Sequence, residues 1–268
     1  MLYLLIALIA LCLLYLYLIL PKLPRRDIRS LLGWDYAHRG LWNDSAPENS
    51  MTAFRRAVEG GFGIELDVHL TADDQLVIFH DASLLRMCGI DRPISECTLS
   101  ELRACRLKNS DQPIPTLDEF LTMVAGKVPL IIEIKPDRRI RLLCEKVYAR
   151  LQTYDGVYCV ESFHPLAVRW FRFHAPEVIR GQLAFGLKNT ERSRRTWLYR
   201  GMASLIVNAA GRPDFIAYDH ATDHNLPMAL MRLMKPWLVC WTVRSQADMD
   251  ALRKRYDLQI FEGFVPKR

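Results

Sequence analysis

The 268 residues are half hydrophobic and carry a formal net charge of +6, with a pI of about 9.0. This composition excludes a disordered chain, and the length suits one α/β barrel of about 250 residues better than several domains. The basic balance admits nucleic acid, anionic lipid or an anionic small substrate. The positive groups at 22–29, 138–141 and 192–195 are scattered, however, and no nucleic-acid-binding motif accompanies them.

Residues 1–20 contain no charged residue, Gly or Pro, and Pro21 ends the run. That length of apolar chain matches a bilayer-crossing helix, and Tyr3, Tyr15 and Tyr17 suit its interfaces. A cleaved signal peptide would need a basic start and a small-residue cleavage site, and neither is present. Lys22, Arg25, Arg26 and Arg29 follow the run, which places the C-terminal side in the cytoplasm. Seven cysteines without a CxxC spacing fit reduced thiols in a reducing compartment. The expected organisation is a transmembrane anchor at 1–20, a basic linker at 21–33 and a barrel domain at 34–268, as a single-pass membrane protein with a cytoplasmic domain.

Beyond Trp34, short β-type runs alternate with helical stretches. The predicted strands are 36–39, 63–70, 76–80, 130–135, 157–162, 178–183, 215–219, 238–243 and 259–261. Strands separated by helices imply parallel βαβ units. The runs 63–70 and 76–80 are too close for a parallel crossover, so they form an antiparallel hairpin. Setting that return strand aside leaves eight parallel strands, the count of a (β/α)8 TIM barrel. A turn centred on Asp73–Asp74 would put His80 opposite Asp67.

Barrel enzymes carry their chemistry at the C-terminal strand ends. Those ends hold His38-Arg39, Glu65-x-Asp67, Glu133-x-Lys135, Ser162 with His164, Asp219 and Trp241. Strand alternation sends Glu65 and Asp67 to one side. Buried together they are costly, and either a hard divalent cation or a salt bridge from Lys135 or Arg39 resolves the cost. Glu133 adds a third acid. His38 and His80 suit proton transfer in both directions, and Arg39 and Lys135 suit phosphate oxygens. His69 reads as an exposed hairpin position, His164 as a rim residue, and Trp241 as either a pocket wall or core.

The segments Ala37-His38-Arg39-Gly40, Pro47-Glu48-Asn49-Ser50, Glu65-Leu66-Asp67-Val68-His69-Leu70-Thr71, Val77-Ile78-Phe79-His80-Asp81, Ile114-Pro115-Thr116-Leu117, Ile132-Glu133-Ile134-Lys135, Ser162-Phe163 and Trp241-Thr242-Val243 occur in that order. In this the chain resembles the glycerophosphodiester phosphodiesterases, whose fold is a phospholipase C-like phosphodiesterase barrel. The resemblance implies a divalent cation, Ca²⁺ or Mg²⁺, on Glu65, Asp67 and Glu133. It implies His38 and His80 as the general acid–base pair, Arg39 and Lys135 on phosphate, and Glu48 supporting the site. The implied reaction is hydrolysis of a glycerophosphodiester to glycerol 3-phosphate and an alcohol, through a cyclic phosphate that water opens. Glu262 stands where the family often has Asp, and His164 follows Ser162-Phe163. Both departures are expected to lie clear of the metal and of the two histidines. A lysophospholipase D-type activity on lysophospholipids is the alternative, and a non-catalytic lipid- or phosphodiester-binding barrel is a second.

Overall fold

The computed structural model describes residues 1–108, 110–187 and 197–267. The basic group at 192–195 lies outside them. Nine strands are described: β1 (Asp35–His38), β2 (Gly63–Leu70), β3 (Leu76–Ile78), β4 (Leu130–Ile134), β5 (Tyr158–Ser162), β6 (Arg180–Ala184), β7 (Phe215–Asp219), β8 (Trp237–Val243) and β9 (Leu258–Phe261). All but β3 are parallel to their neighbours. β9 pairs back onto β1 and closes an eight-stranded barrel. Helices cover the outside, as the βαβ pattern requires, and β3 is the hairpin return on β2.

Side-chain parity organises the interior. The inward column of β1 is Tyr36 then His38, that of β4 is Ile131 then Glu133, and that of β5 is Cys159 then Glu161. Tyr36, Ile131 and Cys159 share one buried cluster with Leu183, Phe215, Val239 and Leu258. Each of these strands therefore starts apolar and ends charged. Burial of the apolar half drives closure, and the same alternation delivers the polar half to one mouth. Glycine makes room where rings cross the barrel. A Cβ on Gly63 would lie 2.6 Å from the Tyr36 ring, and one on Gly181 would lie 2.1 Å from Phe215.

The barrel floor is closed by the segment that leads in from the N-terminus. Ile28 and Leu31 are fully buried in the same inner cluster. Tyr36 donates its hydroxyl to Leu31 O at 2.8 Å. Lys22 and Arg26 lie 3.6 and 3.4 Å from buried Asp214. The Trp237 indole donates to Arg26 O at 2.8 Å, and Arg25 stacks 3.5 Å above its ring. The preceding helix α1 (Leu2–Ile19) is long and apolar enough to cross a membrane. Its end is gripped by the barrel: Asn208 donates to Ile19 O at 2.9 Å, and Arg212 donates to Tyr17 O and Leu20 O, each at 2.7 Å.

The hairpin register differs from the expected one by a single residue. Thr71 N donates to Gln75 O at 3.0 Å, so the loop holds three residues rather than two. Asp74, at φ 59°, supplies the left-handed position such loops use. Thr71 braces the turn, donating to Asp73 Oδ1 and accepting from Gln75 N. Phe79, not His80, therefore pairs with Asp67, its amide donating to Asp67 O at 3.0 Å. Phe79 turns into an outer apolar cluster, and His80 follows at the mouth.

Candidate active site

The acids converge as expected. Glu65 and Asp67 on β2 and Glu133 on β4 are buried, and each brings one oxygen within 4.8 Å of the others'. The loop after β1 braces them. Arg39 (φ 59°) and Asn49 (φ 56°) take left-handed backbone, joined by Asn49 N donating to Arg39 O at 2.9 Å. This turns Arg39 N onto Glu65 Oε2 at 3.1 Å and Asn49 Nδ2 onto Asp67 Oδ2 at 2.7 Å.

Arg39 and Lys135 both engage the acids. Lys135 Nζ lies 2.7 Å from Asp67 Oδ1 and 2.8 Å from Glu133 Oε2. Arg39 Nε lies 3.5 Å from Asp67 Oδ2, and its guanidinium donates to Glu48 at 2.8 Å. Glu48 is held in turn by Arg86 at 2.7 Å. These pairs do not balance the cluster. Glu133 Oε1 is buried without a hydrogen-bond partner. Among the described residues, no Lys or Arg ion-pairs with Glu65. Burial pushes the Glu65 carboxyl well above the usual range, and Asp67, Glu133 and Glu161 add to this. Burial raises Glu133 too. It acts the same way on Asp67, but Lys135 and Arg39 outweigh it and hold that carboxyl below its ordinary value. Hard oxygen donors with surplus negative charge fit a divalent cation.

Both histidines are oriented by carboxylates. His38 Nδ1 lies 2.5 Å from Glu262 Oε2, leaving Nε2 3.9 Å from Glu65 Oε2. Arg244 holds the other Glu262 oxygen at 2.6 Å. His80 Nδ1 lies 2.6 Å from Asp81 Oδ1, and Asp81 is paired with Arg86 at 2.6 Å. Burial lowers both imidazoles from their ordinary value, so each rests neutral near pH 7. With the carboxylate accepting, Nδ1 carries the proton and Nε2 is left to act. The two histidines line one cavity of about 370 Å³ with Arg39, Glu48, Glu65, Glu133 and Trp241. Trp241 walls it, packed edge-on against Phe163 with centroids 5.7 Å apart.

Two expectations need correction, those for Glu262 and His69. Glu262 does not lie clear of the histidines, because β9 pairs with β1 and ends beside His38. His69 is buried, since it shares the inward parity of Glu65 and Asp67. Its Nε2 lies 3.3 Å from His80 O, and burial, helped by the Lys135 charge, pushes its pKa down to about 4. His164 caps the helix Pro165–His174 by accepting from Leu166 N at 3.3 Å. Glu161, Arg86 and Arg244 were not singled out from the sequence. Of these, Glu161 had a signal: it shares the inward parity of Cys159 one strand from Glu133. Arg86 sits in the one-turn helix Leu85–Cys88 and Arg244 in the loop after β8, both too short to carry a periodic signal.

Residues 38–256 match the model of the glycerophosphoryl diester phosphodiesterase family. Lysophospholipase D GDPD1 of Rattus norvegicus is 32% identical over 145 residues, covering 49% of this chain and 45% of that protein. A glycerophosphodiester phosphodiesterase of Bacillus altitudinis is 31% identical over 155 residues, covering 53% of this chain and 63% of that one. The chain spans about half the length of the curated relatives it matches. An Oleispira antarctica phosphodiesterase in complex with the product sn-glycerol-3-phosphate shares the fold at a TM-score of 0.71 and 20% identity, covering 87% of this chain and 94% of that one. A glycerophosphodiester phosphodiesterase from Thermotoga maritima does so at 0.65 and 24%, covering 85% and 94%. With most of the barrel matched by the family model and the three acids gathered at its mouth, the chain belongs to the glycerophosphoryl diester phosphodiesterase family.

Proposed function

We propose that the protein hydrolyses glycerophosphodiesters to glycerol 3-phosphate and an alcohol, using Ca²⁺ or Mg²⁺, from a membrane-anchored barrel on the cytoplasmic side. The observation that carries this reading is the pair of carboxylate-held imidazoles in one cavity, next to the cluster of three buried acids. A divalent ion on Glu65, Asp67 and Glu133 would stabilise charge on phosphorus and acidify the attacking hydroxyl. One imidazole takes the proton of the substrate hydroxyl that attacks phosphorus. The other enters the step as the imidazolium, having taken a proton from solvent on Nε2, and gives that proton to the departing alcohol oxygen. The roles then reverse as water opens the cyclic phosphate. Lys135 and Arg39 border the acids and supply the positive charge that a phosphate oxygen meets on entering. Glu48 keeps Arg39 aimed.

A second reading, a lysophospholipase D-type activity on lysophospholipids, is favoured by α1, which would hold the barrel beside lipid, and by the relatives bearing that name. A release assay decides between them. The detergent-solubilised chain is offered glycerophosphocholine, glycerophosphoethanolamine, glycerophosphoglycerol and a lysophospholipid side by side. Release from the water-soluble diesters, abolished by EDTA and restored by Ca²⁺ or Mg²⁺, is expected. Turnover of the lysophospholipid alone selects the second reading. Turnover that EDTA leaves untouched rejects the cation.

A further inference from the structure

Glu161 is the acid that the site as described leaves without a task. It stands on β5 directly across from Glu133 on β4. It is only 2% exposed, and its Oε2 is buried without a hydrogen-bond partner. It lines the same cavity as His38, His80 and Glu65. A carboxylate so placed is costly unless a positive charge answers it. The local bases are engaged elsewhere: Lys135 with Asp67 and Glu133, Arg39 with Glu48 and Asp67. Among the described residues, no Lys or Arg ion-pairs with either Glu65 or Glu161. Two carboxylates are thus uncompensated, and two positive charges are what a divalent cation brings.

We propose that Glu161 is a fourth acid of the cation centre, tightening its hold on a divalent ion from outside the ligand set of Glu65, Asp67 and Glu133. The inference rests on the cation reading above. Glu161 lies one strand further round the barrel, outside the group of three whose oxygens approach within 4.8 Å. It therefore acts by its field, which is weakly screened at a buried site. Repulsion between Glu161 and Glu133, its neighbour across the strands, is relieved when the ion binds, so the acid favours the loaded state over the empty one.

The test titrates CaCl₂ and MgCl₂ by calorimetry into the metal-stripped, detergent-solubilised full chain and its Glu161→Gln variant. Gln keeps the shape and removes the charge. Affinity is expected to fall at least about tenfold in the variant, the size typical of lost support around metal ligands, while the circular dichroism spectrum is unchanged. Equal affinity in the two proteins overturns the proposal and leaves the three-acid centre standing. A wild-type chain that binds neither ion overturns both. Should Gln prevent folding, Glu161→Ser is titrated in its place under the same two criteria. A merely structural role for Glu161 would change the melting temperature without ion and leave ion affinity alone.

Discussion

His38 and Glu262 illustrate how much one side chain depends on another from the far end of the sequence. The 2.5 Å contact fixes the ring and places the proton on Nδ1. Burial pushes the Glu262 carboxyl up, but the His38 hydrogen bond and Arg244 outweigh it and hold its pKa at about 2, so it stays ionised. Glu262→Gln offers Nδ1 an amide of either polarity and unfixes the tautomer. We expect kcat to drop about 10–100-fold with little change in KM, part of the ~10²–10⁴ that general acid–base groups contribute. His38→Ala and His80→Ala should each lose that whole factor with the fold retained. Steady-state kinetics on the four proteins checks both statements, and full activity in either alanine variant would remove the acid–base assignment. The roles of Glu65, Asp67, Glu133, His38 and His80 were suggested by strand ends and by the motif run. Glu161 and Glu262 were legible in principle from parity, since each continues an inward column. Glu161 is hidden beside Ser162, the more recognisable end of its segment, whereas Glu262 stands out only as a departure from the family's Asp, and its contact with His38 needs the closed barrel.

Among the elements, the strands and their order were legible because alternation and βαβ spacing are local signals. The hairpin register was not, because it turns on one backbone angle at Asp74. The segment Ile114-Pro115-Thr116-Leu117 does two jobs that its composition only partly announces. Pro115 O accepts from Ile78 N at 2.8 Å, pinning β3 and hence the approach to His80. Thr116 then caps the helix Leu117–Val124 in a reciprocal box with Glu119. Thr116→Ala should cost about 1 kcal/mol, read as a fall of about 2–4 °C in melting temperature for a domain this size. The cap also has a pH signature. Burial pushes the Glu119 carboxyl up, but hydrogen bonds from Arg103 and Thr116 prevail and lower its pKa from 4.5. The unfolded chain therefore takes up this proton before the folded one does. The stabilisation is complete above pH 4.5 and is lost as pH falls through the lowered folded value. The Thr116→Ala deficit should be larger at pH 7 than at pH 3 in thermal melts, and an equal deficit at both would contradict the reciprocal cap.

At the scale of the whole molecule, the segment 20–31 ties α1 to the barrel floor, at the opposite end of the strands from the catalytic mouth. Its four bases suggest a solvated tether when seen in sequence. Asp214, the partner of Lys22 and Arg26, lies far along the chain, and the burial of Ile28 and Leu31 follows only once the barrel has closed around them. A docked segment transmits the orientation of α1 to the mouth, whereas a free one would let the barrel tumble. The two states differ in a cheap observable, because Lys22, Arg25 and Arg26 are trypsin sites. Backbone held against Pro213 and Trp237 must open locally before cleavage. Trp237→Ala removes one hydrogen bond to Arg26 O and the stacking of Arg25. Those contacts are worth about 1 kcal/mol and about 0.5–1 kcal/mol. When reclosing outpaces cleavage, the rate follows the open population, so cutting between residues 22 and 27 should speed up roughly tenfold in the variant. The detergent-solubilised full chains are compared by the rate at which the barrel fragment appears on a gel. Equal rates would mean that the segment is already free in solution and that the barrel swings on its anchor.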